Sequence, residues 1–151
     1  MSIEDSYLFG DINKQTLQRI KEIAVEESYP QAAFLFHAGD AAEYFYVLTE
    51  GRVRLCIGEQ GHVAYVISDP GDAIGWSSMV GREKYTATAE CIAPVKLRKI
   101  KRDTLIQLFE SDAASGLMFF RRLAGLIGQR LLNCYKAAVS VHGERDPHSY
   151  G

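Results

Sequence analysis

The sequence predicts a mainly β domain flanked by helices, the last of which is long. Between residues 29 and 100, short runs rich in β-branched and aromatic residues alternate with Gly, Asp and Pro, as in "YFYVLTE", "GRVRLCI" and "YTATAEC". Strands at such close spacing are typical of a sandwich or a barrel, and not of a sheet whose strands alternate with helices. After residue 100 the apolar residues recur with the helical period instead.

The first predicted helix occupies residues 11–25, in "DINKQTLQRIKEIAVEES". Its isoleucine and leucine side chains fall largely on one helical face, and Asp11 or Asn13 can cap its first turn. The β region follows this helix. Within the β region, residue type alternates with period 2 over residues 52–57 and 85–90, which is typical of half-buried strands.

Two helices are predicted after the β region, at residues 102–110 and 112–141, followed by a polar tail at 142–151. In the longer helix apolar residues recur at alternating steps of three and four, as in the a/d seam of a helix that pairs with another helix. The alternative is an amphipathic core helix within one chain. We predict a dimer, because a β unit of this size cannot cover both the seam and a second apolar stripe around Leu123. The predicted interface residues are Leu117, Phe120, Ala124, Ile127, Leu131 and Cys134.

Length and composition restrict the function. The 151 residues fit one domain, and a net charge of −2 argues against a nucleic-acid-binding surface, which needs clustered Lys and Arg. No apolar run approaches the about 20 residues of a membrane span, and the acidic start "MSIEDS" does not resemble a secretory signal. The three cysteines contain no C-x-x-C pair, so neither a disulfide framework nor a zinc site is expected. We expect a cytoplasmic protein without a metal or cofactor.

The order of these elements resembles the cyclic nucleotide-binding domain of the CRP/FNR family. The run "FLFHAGDAAEYFYVLTEGRVRLCI" at residues 34–57 is similar to the family's first hairpins, with one turn at Gly39-Asp40 and a tight turn at Gly51. The run "PGDAIGWSSMVGREKYTATAECIAPVKLRKIKRDTLIQLF" at residues 70–109 is similar to its phosphate-binding cassette and closing helix. The resemblance implies a double-stranded β-helix (a β-roll, or jelly roll) that holds a ligand, with the long helix closing the pocket and forming the dimer.

The cassette departs from the family at two charged positions. In the family's cyclic-nucleotide binders, a glutamate after the cassette glycine accepts the ribose hydroxyl, and a later arginine pairs with the cyclic phosphate. Trp76 stands in place of that glutamate and Tyr85 in place of the arginine. Losing the guanidinium removes charge-assisted hydrogen bonds worth roughly 1.5–3 kcal/mol, so tight binding of cAMP or cGMP is not expected. The ligand-binding residues that the resemblance implies are Gly75, Trp76, Ser77, Ser78, Tyr85, Thr86 and Ala87.

Two interpretations of this altered cassette stay open. In the first, the rings of Trp76 and Tyr85 stack on a ligand that is flatter or less charged than a cyclic nucleotide. In the second, the two rings fill the old pocket and leave no room for a ligand. Arg82 or Lys84 at the loop tip would supply a cation for an anionic ligand, although a turn of this composition is ordinarily solvated.

Enzyme chemistry is not indicated. No Ser-His-Asp or Cys-His arrangement is recognisable, and His37 and His62 do not have the spacing of a metal-dependent β-roll oxygenase. Haem-binding relatives exist in the family, but lone His and Cys side chains on strands are ordinarily core or surface groups. Cys134 on the helix seam would approach its copy in a dimer and respond to oxidation, or serve as a small buried apolar residue.

We therefore expect a module that senses an unknown small-molecule ligand and whose response is read by a partner protein. The alternative is a dimeric interaction or structural protein that keeps the fold and has lost its ligand. The family's transcription factors continue after the long helix into a DNA-binding helix-turn-helix domain, for which the ten residues after position 141 leave no room. Direct DNA binding is accordingly not expected, unless the chain is the sensor fragment of a longer regulator.

Overall fold

The structure, a computed structural model, describes residues 2–58 and 60–145, with side chains as far as residue 140. Its strands are β1 (Val25–Tyr29), β2 (Phe34–Phe36), β3 (Tyr44–Glu50), β4 (Val53–Ile57), β5 (His62–Ile67), β6 (Ala73–Ile74), β7 (Thr88–Cys91) and β8 (Val95–Lys101). They form two antiparallel sheets of four strands, in the orders β1-β8-β3-β6 and β2-β7-β4-β5. The predicted mainly β fold is confirmed.

Helix α1 spans Lys14–Ile23 and is shorter at both ends than predicted. Asn13 caps it, because its side-chain oxygen accepts a hydrogen bond from the Gln15 backbone N–H at 2.9 Å. Asp11 does not belong to the helix, since its φ of 61° lies in the left-handed region. At the other end Val25 pairs with Lys99 of β8, so the β region starts earlier than the predicted residue 29.

Two helices follow the strands: α2 at Arg102–Ser111 and α3 at Ala113–Arg145. The 33 residues of α3 give a length of about 50 Å. The helix passes its predicted end at residue 141, so the start of the predicted polar tail is helical, and residues 146–151 of that tail lie outside the described ones. Within the described part of the chain, no helix has an apolar stretch that could span a membrane.

The interior between the two sheets forms one apolar cluster, the roll core. Strand β3 contributes to this cluster and is also buried on its other face, because it lies between the second sheet and the helices. Its Tyr46 and Leu48 point into the roll core, whereas Phe45 and Val47 point to the helices. The roll core consists of Phe36, Ala42, Tyr46, Leu48, Val53, Ile67, Ile74, Tyr85, Ala89, Cys91, Val95 and Leu97.

A second apolar cluster, the helix core, fills the space between the three helices and the β1-β8-β3-β6 sheet. The ring of Phe119 on α3 lies at its centre, 5.3 Å from that of Phe9, 5.7 Å from Phe45 and 4.9 Å from Phe109, measured between centroids. Leu123, one turn further along α3, is also buried. The second apolar stripe of the long helix therefore packs against the domain.

The junction between α2 and α3 is held by Asp112. Its carboxylate accepts hydrogen bonds from the Ser115 hydroxyl at 2.6 Å, the Ser115 backbone N–H at 3.3 Å and the Thr16 hydroxyl at 2.7 Å. These bonds cap the start of α3 and join it to α1. They hold the pKa of Asp112 below its ordinary value of 3.8.

The predicted dimer seam is largely uncovered in the single chain. Leu117 is 63% exposed and Leu131 is 48% exposed, and Ala124 and Cys134 are exposed as well. The remaining seam residues, Phe120 and Ile127, are half-buried because they also touch the helix core. One side of α3 therefore presents a row of apolar side chains to its surroundings.

Candidate functional site

The cassette begins at a left-handed glycine. Gly75 follows β6 with φ of 79° and leads into a four-residue 3-10 helix, Trp76–Met79. A Cβ atom at this position would lie 3.2 Å from both the Tyr44 carbonyl oxygen and Cε1 of Tyr85. Position 75 therefore requires glycine for its conformation and for the close approach of its neighbours.

The two serines of the cassette are buried, and Ser78 closes the turn itself. Ser77 is 3% exposed and Ser78 is fully buried. The Ser78 hydroxyl donates to the Gly75 carbonyl at 2.7 Å, and the Ser78 backbone N–H donates to the same oxygen at 3.1 Å. The hydroxyl of Ser78 is thus committed to closing the turn.

Tyr85 points into the roll core, where it is 5% exposed. Its ring stacks on Phe36 with centroids 3.7 Å apart and planes inclined by 14°. Its hydroxyl donates to the Tyr44 carbonyl at 2.5 Å and accepts from the Tyr44 backbone N–H at 3.2 Å. Burial raises the pKa of the Tyr85 phenol, so the side chain is a neutral, satisfied part of the core.

Trp76 points in the opposite direction from Tyr85. Its ring packs against the helix core and lines an open groove of about 500 Å³ with Phe120, Leu123 and Ile127 of α3. Of the two interpretations left open, neither the one in which both rings stack on a ligand nor the one in which both fill the pocket describes Trp76, because the left-handed turn at Gly75 sends its side chain to the other face of the sheet. Of the two rings, only that of Tyr85 occupies the interior of the roll.

The end of the cassette is tied to the turn at residues 39–40. The Tyr85 backbone N–H donates to the Asp40 carbonyl at 3.0 Å, and the Gly39 N–H donates to the Tyr85 carbonyl at 2.9 Å. The two remaining residues of the implied site differ in burial, since Thr86 is exposed and Ala87 is half-buried. The structure thus brings Gly75, Tyr85 and the two serines together, with Thr86 at the surface.

Phe36 is the member of this site that sequence reasoning missed. It belongs to the apolar run "AAFLF", in which nothing distinguishes it from the other aromatic residue, Phe34. In the structure Phe36 is 7% exposed and stacks on Tyr85, whereas Phe34 is 47% exposed. Strand alternation predicts that these two residues share a face; the irregular register of β2 against β7 between them gives them different surroundings.

Other candidate ligands for a metal or haem are dispersed. Among residues 2–58 and 60–145, no three His, Cys, Asp or Glu side chains are grouped so that they could hold a metal ion. Cys91 is buried in the roll core, and burial raises the pKa of its thiol. Cys134 is exposed on α3, and His62 is exposed at the start of β5.

The chain is similar to one known family and to several known proteins. The family model of the cyclic nucleotide-binding domain matches residues 26–112, which is more than half of the 151 residues. Among curated proteins, the nitrogen fixation regulation protein FixK of Azorhizobium caulinodans is 27% identical over 105 residues, which is 68% of this chain and 41% of that protein. An uncharacterized NTE family protein of Mycobacterium tuberculosis is 23% identical over 122 residues, which is 81% of this chain and 21% of that protein. The chain thus spans well under half the length of these relatives.

Solved structures share the fold at low identity. A cyclic nucleotide-binding domain from Methylobacillus flagellatus superposes with a TM-score of 0.78 at 21% identity, covering 91% of this chain and 79% of that one. An identity this low supports the architecture alone. The family assignment rests on the matched residues 26–112, which run from β1 to the residue after α2 and include the whole cassette.

Proposed function

The chain belongs to the family of cyclic nucleotide-binding domains, and from this premise we propose that it is a ligand-sensing regulatory module that binds cAMP and cGMP only weakly. The observation that supports weak binding is the placement of Tyr85 in the roll core, stacked on Phe36 at 3.7 Å. This tyrosine stands where the family resemblance implies the arginine that pairs with the cyclic phosphate. The altered specificity therefore begins at this position.

Tyr85 cannot replace a guanidinium. Its phenol is neutral, and its single donor is already bonded to the Tyr44 carbonyl. A nucleotide would also have to displace the ring from Phe36 and leave the Tyr44 backbone groups without partners. Each such loss costs on the order of 1–3 kcal/mol. Together they move a micromolar site beyond about 100 µM.

Calorimetry with cAMP and cGMP tests this proposal. We expect dissociation constants weaker than about 100 µM for the unmodified protein and for Tyr85→Phe, which keeps the ring. Tyr85→Arg restores the cation and is expected to strengthen binding at least about tenfold, provided that circular dichroism shows it folded. Low-micromolar binding by the unmodified protein would contradict the proposal. Trp76→Glu is unsuitable as a companion variant, because it would put a carboxylate against the helix core.

A second candidate function is a dimeric interaction module that binds no small molecule. The filled roll core favours it, since Phe36, Tyr46 and Tyr85 form a continuous aromatic group with centroids 3.7 and 6.0 Å apart. A thermal-shift screen of nucleotides, phenolic acids and haem separates the two functions. A saturable rise of the melting temperature with one of these classes supports the sensor, whereas a flat response to all of them favours the interaction module.

We propose that the response is passed on through a dimer made by α3 and read by a partner protein. The support for the dimer is the exposed apolar row Leu117, Ala124, Leu131 and Cys134. The net charge of −2 favours a protein over DNA as the direct partner, because phosphate backbones attract clustered positive charge. Fluorescence anisotropy with a labelled DNA duplex at low salt tests for direct DNA binding. No change in anisotropy is expected at micromolar concentrations of the protein.

A further inference from the structure

The second half of α3 is apolar on more of its surface than the predicted dimer seam occupies. Residues 131–140, "LLNCYKAAVS", are all exposed, and Lys136 is the one charged residue among them. Leu132, Tyr135 and Val139 are each at least half exposed, and none of them belongs to the predicted seam. A helix that faces water ordinarily carries polar or charged residues there, so these three residues mark a second apolar face of α3.

The second apolar face follows the spacing of a helix–helix contact. We call it the outer face, and its members recur at steps of three, four, three and four: Gly125, Gly128, Leu132, Tyr135 and Val139. The first four of them each follow directly after a seam residue, so they are rotated by about 100° from the seam. A pair of helices buries one seam and the positions directly beside it, so Leu132 and Val139 remain exposed in the proposed dimer.

The outer face also points away from the rest of the domain. Phe119 and Leu123 hold α3 against the helix core, and Leu132 is rotated by about 180° from Leu123 around the helix axis. At Gly125 and Gly128 a Cβ atom would meet nothing within 4 Å, so the helix backbone itself is accessible at the start of the outer face. The distance between packed helices depends on the size of the contacting side chains, so the outer face can accept another helix besides the one in the seam.

The charges of α3 restrict the kind of helix that fits. From residue 113 to residue 140 the helix contains four basic residues and no acidic one. Two of the four are paired with aspartates of the domain, whereas Arg121 and Lys136 are exposed and form no ion pair with any side chain that the structure describes. Arg121 lies one turn before Gly125, and Lys136 lies one turn from both Leu132 and Val139. Opposite charges across an interface select the partner, so this face favours acidic side chains.

Neither a second copy of the outer face nor a membrane has the matching charge pattern. Pairing of two outer faces would bring Arg121 and Lys136 of one copy against the same cations of the other, which is unfavourable. Helices that lie on anionic membranes carry a strongly charged polar face, whereas only these two unpaired cations flank the outer face. A helix with acidic residues beside an apolar stripe matches both the spacing and the charge.

We propose that the outer face of α3 docks an amphipathic helix with acidic flanks, contributed by the partner protein that reads the dimer. The apolar a and d side chains of that helix contact Leu132, Tyr135 and Val139, and its acidic side chains pair with Arg121 and Lys136. This docking rests on the proposed function, in which a partner protein reads α3, and it names the surface and the chemistry of that contact.

Two synthetic peptides test the docking. Each has about three heptads with leucine at a and d, and the two differ only in carrying glutamate or lysine at e and g. Fluorescence anisotropy at about 50 mM salt is expected to give a dissociation constant below about 100 µM for the glutamate peptide and at least about tenfold weaker binding of the lysine peptide. Equal binding of the two peptides, or no binding of the glutamate peptide up to about 500 µM, would overturn the proposal. Binding to vesicles that contain phosphatidylserine, without binding of the glutamate peptide, would overturn it as well.

Replacing the apolar side chains of the outer face tests where the peptide binds. Leu132→Gln combined with Val139→Gln keeps good helix formers and is expected to weaken binding of the glutamate peptide at least about tenfold. Ala137→Gln is the matched control, because Ala137 is also exposed and is rotated by about 140° from Leu132, and it should change binding less than about threefold. Loss of peptide binding in the seam variant Leu131→Gln but not in the double variant would place the peptide on the seam and overturn the proposal.

Reversing the two unpaired charges tests the chemistry of the partner. Arg121→Glu combined with Lys136→Glu is expected to prefer the lysine peptide and to bind the glutamate peptide at least about tenfold more weakly than the unmodified protein does. Lys14→Glu is the control, since Lys14 is an exposed lysine on α1, and it should keep the preference for the glutamate peptide. An unchanged preference in the double variant would overturn the proposal.

Light scattering and the ligand screen on the same protein separate this docking from the proposed function. A dimer that responds to a ligand and does not bind the glutamate peptide would overturn the docking alone. Peptide binding that depends on the outer face, in a protein that neither dimerises nor responds to a ligand, would overturn the proposed function and leave the docking surface standing.

Discussion

At Gly75 a single backbone conformation decides which side chain enters the roll. Ile74 lies in the roll core, and the left-handed turn at position 75 carries Trp76 away to the helix core. Tyr85 packs so closely against this glycine that its Cε1 atom lies 3.2 Å from the point where a Cβ atom would stand. The interior is therefore filled by a phenol whose hydroxyl is bonded to both backbone groups of Tyr44.

The hydroxyl of Tyr85 should contribute measurably to stability. Tyr85→Phe keeps the stack on Phe36 and leaves the half-buried Tyr44 N–H without an acceptor, so we expect the free energy of unfolding to fall by about 1–2 kcal/mol. Tyr135→Phe is the control, since Tyr135 is 57% exposed on α3. Urea denaturation followed by circular dichroism measures the free energy of unfolding of both variants. Equal stabilities of the two variants would show that the Tyr85 hydroxyl contributes nothing.

The turn between β3 and β4 depends on glycine for a different reason. Gly51 has φ of 104°, and a Cβ atom there would lie 2.3 Å from the Pro94 carbonyl oxygen. We expect Gly51→Ala to lower the free energy of unfolding by about 3 kcal/mol, from backbone strain and the clash together. Gly39→Ala is the matched control, because Gly39 has φ of 92° and nothing within 4 Å, and it should cost only about 1 kcal/mol. If urea denaturation shows similar losses of unfolding free energy for both variants, the clash with the Pro94 carbonyl oxygen does not contribute.

At the scale of elements, α3 is attached to the domain at several places along its length. Asp112 caps its start and joins it to Thr16 of α1, Phe119 fills the helix core, and Arg130 joins it to Asp72 in the loop before the cassette. From Leu131 to residue 140 every residue is exposed. The first half of α3 is thus part of the domain, and residues 131–140 are available for contacts with other molecules.

The Asp112 cap predicts a pH dependence of stability. Because its hydrogen bonds hold the folded-state pKa below 3.8, its contribution is fully present above that pH and is lost as the pH falls through the folded-state value. We expect the melting temperature of the unmodified protein to exceed that of Asp112→Asn at pH 7, and the difference to shrink as the pH is lowered toward 3. Thermal denaturation of both proteins between pH 7 and pH 3 measures this difference in melting temperature.

Asp103→Asn is the control for the Asp112 measurement. Asp103 lies in the first turn of α2, and its carboxylate contacts Arg102 at the surface. This variant is expected to differ little from the unmodified protein at either pH. A melting-temperature difference for Asp112→Asn that stays constant from pH 7 to pH 3 would contradict the assigned role of the ionised cap.

At the scale of the whole molecule, we propose that a second copy of the chain covers the exposed row on α3. The apolar groove beside Trp76 continues this row, because Ala124 belongs to both and the half-buried seam residues Phe120 and Ile127 line the groove. The row and the groove together place apolar side chains along α3 from Leu117 to Cys134. A two-fold dimer that pairs the α3 helices would bury this surface in both copies.

Substitutions on neighbouring faces of α3 test the dimer. Leu131 on the seam and Leu132 beside it are similarly exposed, at 48% and 50%. Leu131→Asp would bury a charge in the interface and is expected to give a monomer, whereas Leu132→Asp is expected to remain a dimer. Light scattering at about 20–50 µM measures the mass, since an interface of this kind is ordinarily occupied in that range. A monomeric unmodified protein at these concentrations would refute the dimer.

The sequence by itself determined the elements and their order. Period-2 alternation in residues 52–57 reports on β4, and that in residues 85–90 reports on β7 in its second half only, since β7 starts at Thr88. The apolar steps of three and four report on α3, because such periodicities follow from local backbone geometry. Gly51 was likewise recognisable, since a glycine between two predicted strands is typical of a tight turn with a positive φ. These features need no knowledge of distant parts of the chain.

Only the tertiary structure decided which side chains share a space. Trp76 and Tyr85 both belong to the cassette, yet one enters the helix core and the other the roll core, because Gly75 turns against Tyr44 and Tyr85. From the sequence alone, Arg130 would be expected to be a charged residue on the surface of a helix. In the structure it is buried, because Asp72, which is 58 residues away in the chain, is brought against it. Contacts over such separations depend on how the sheets and helices pack, and no local pattern of residues contains that information.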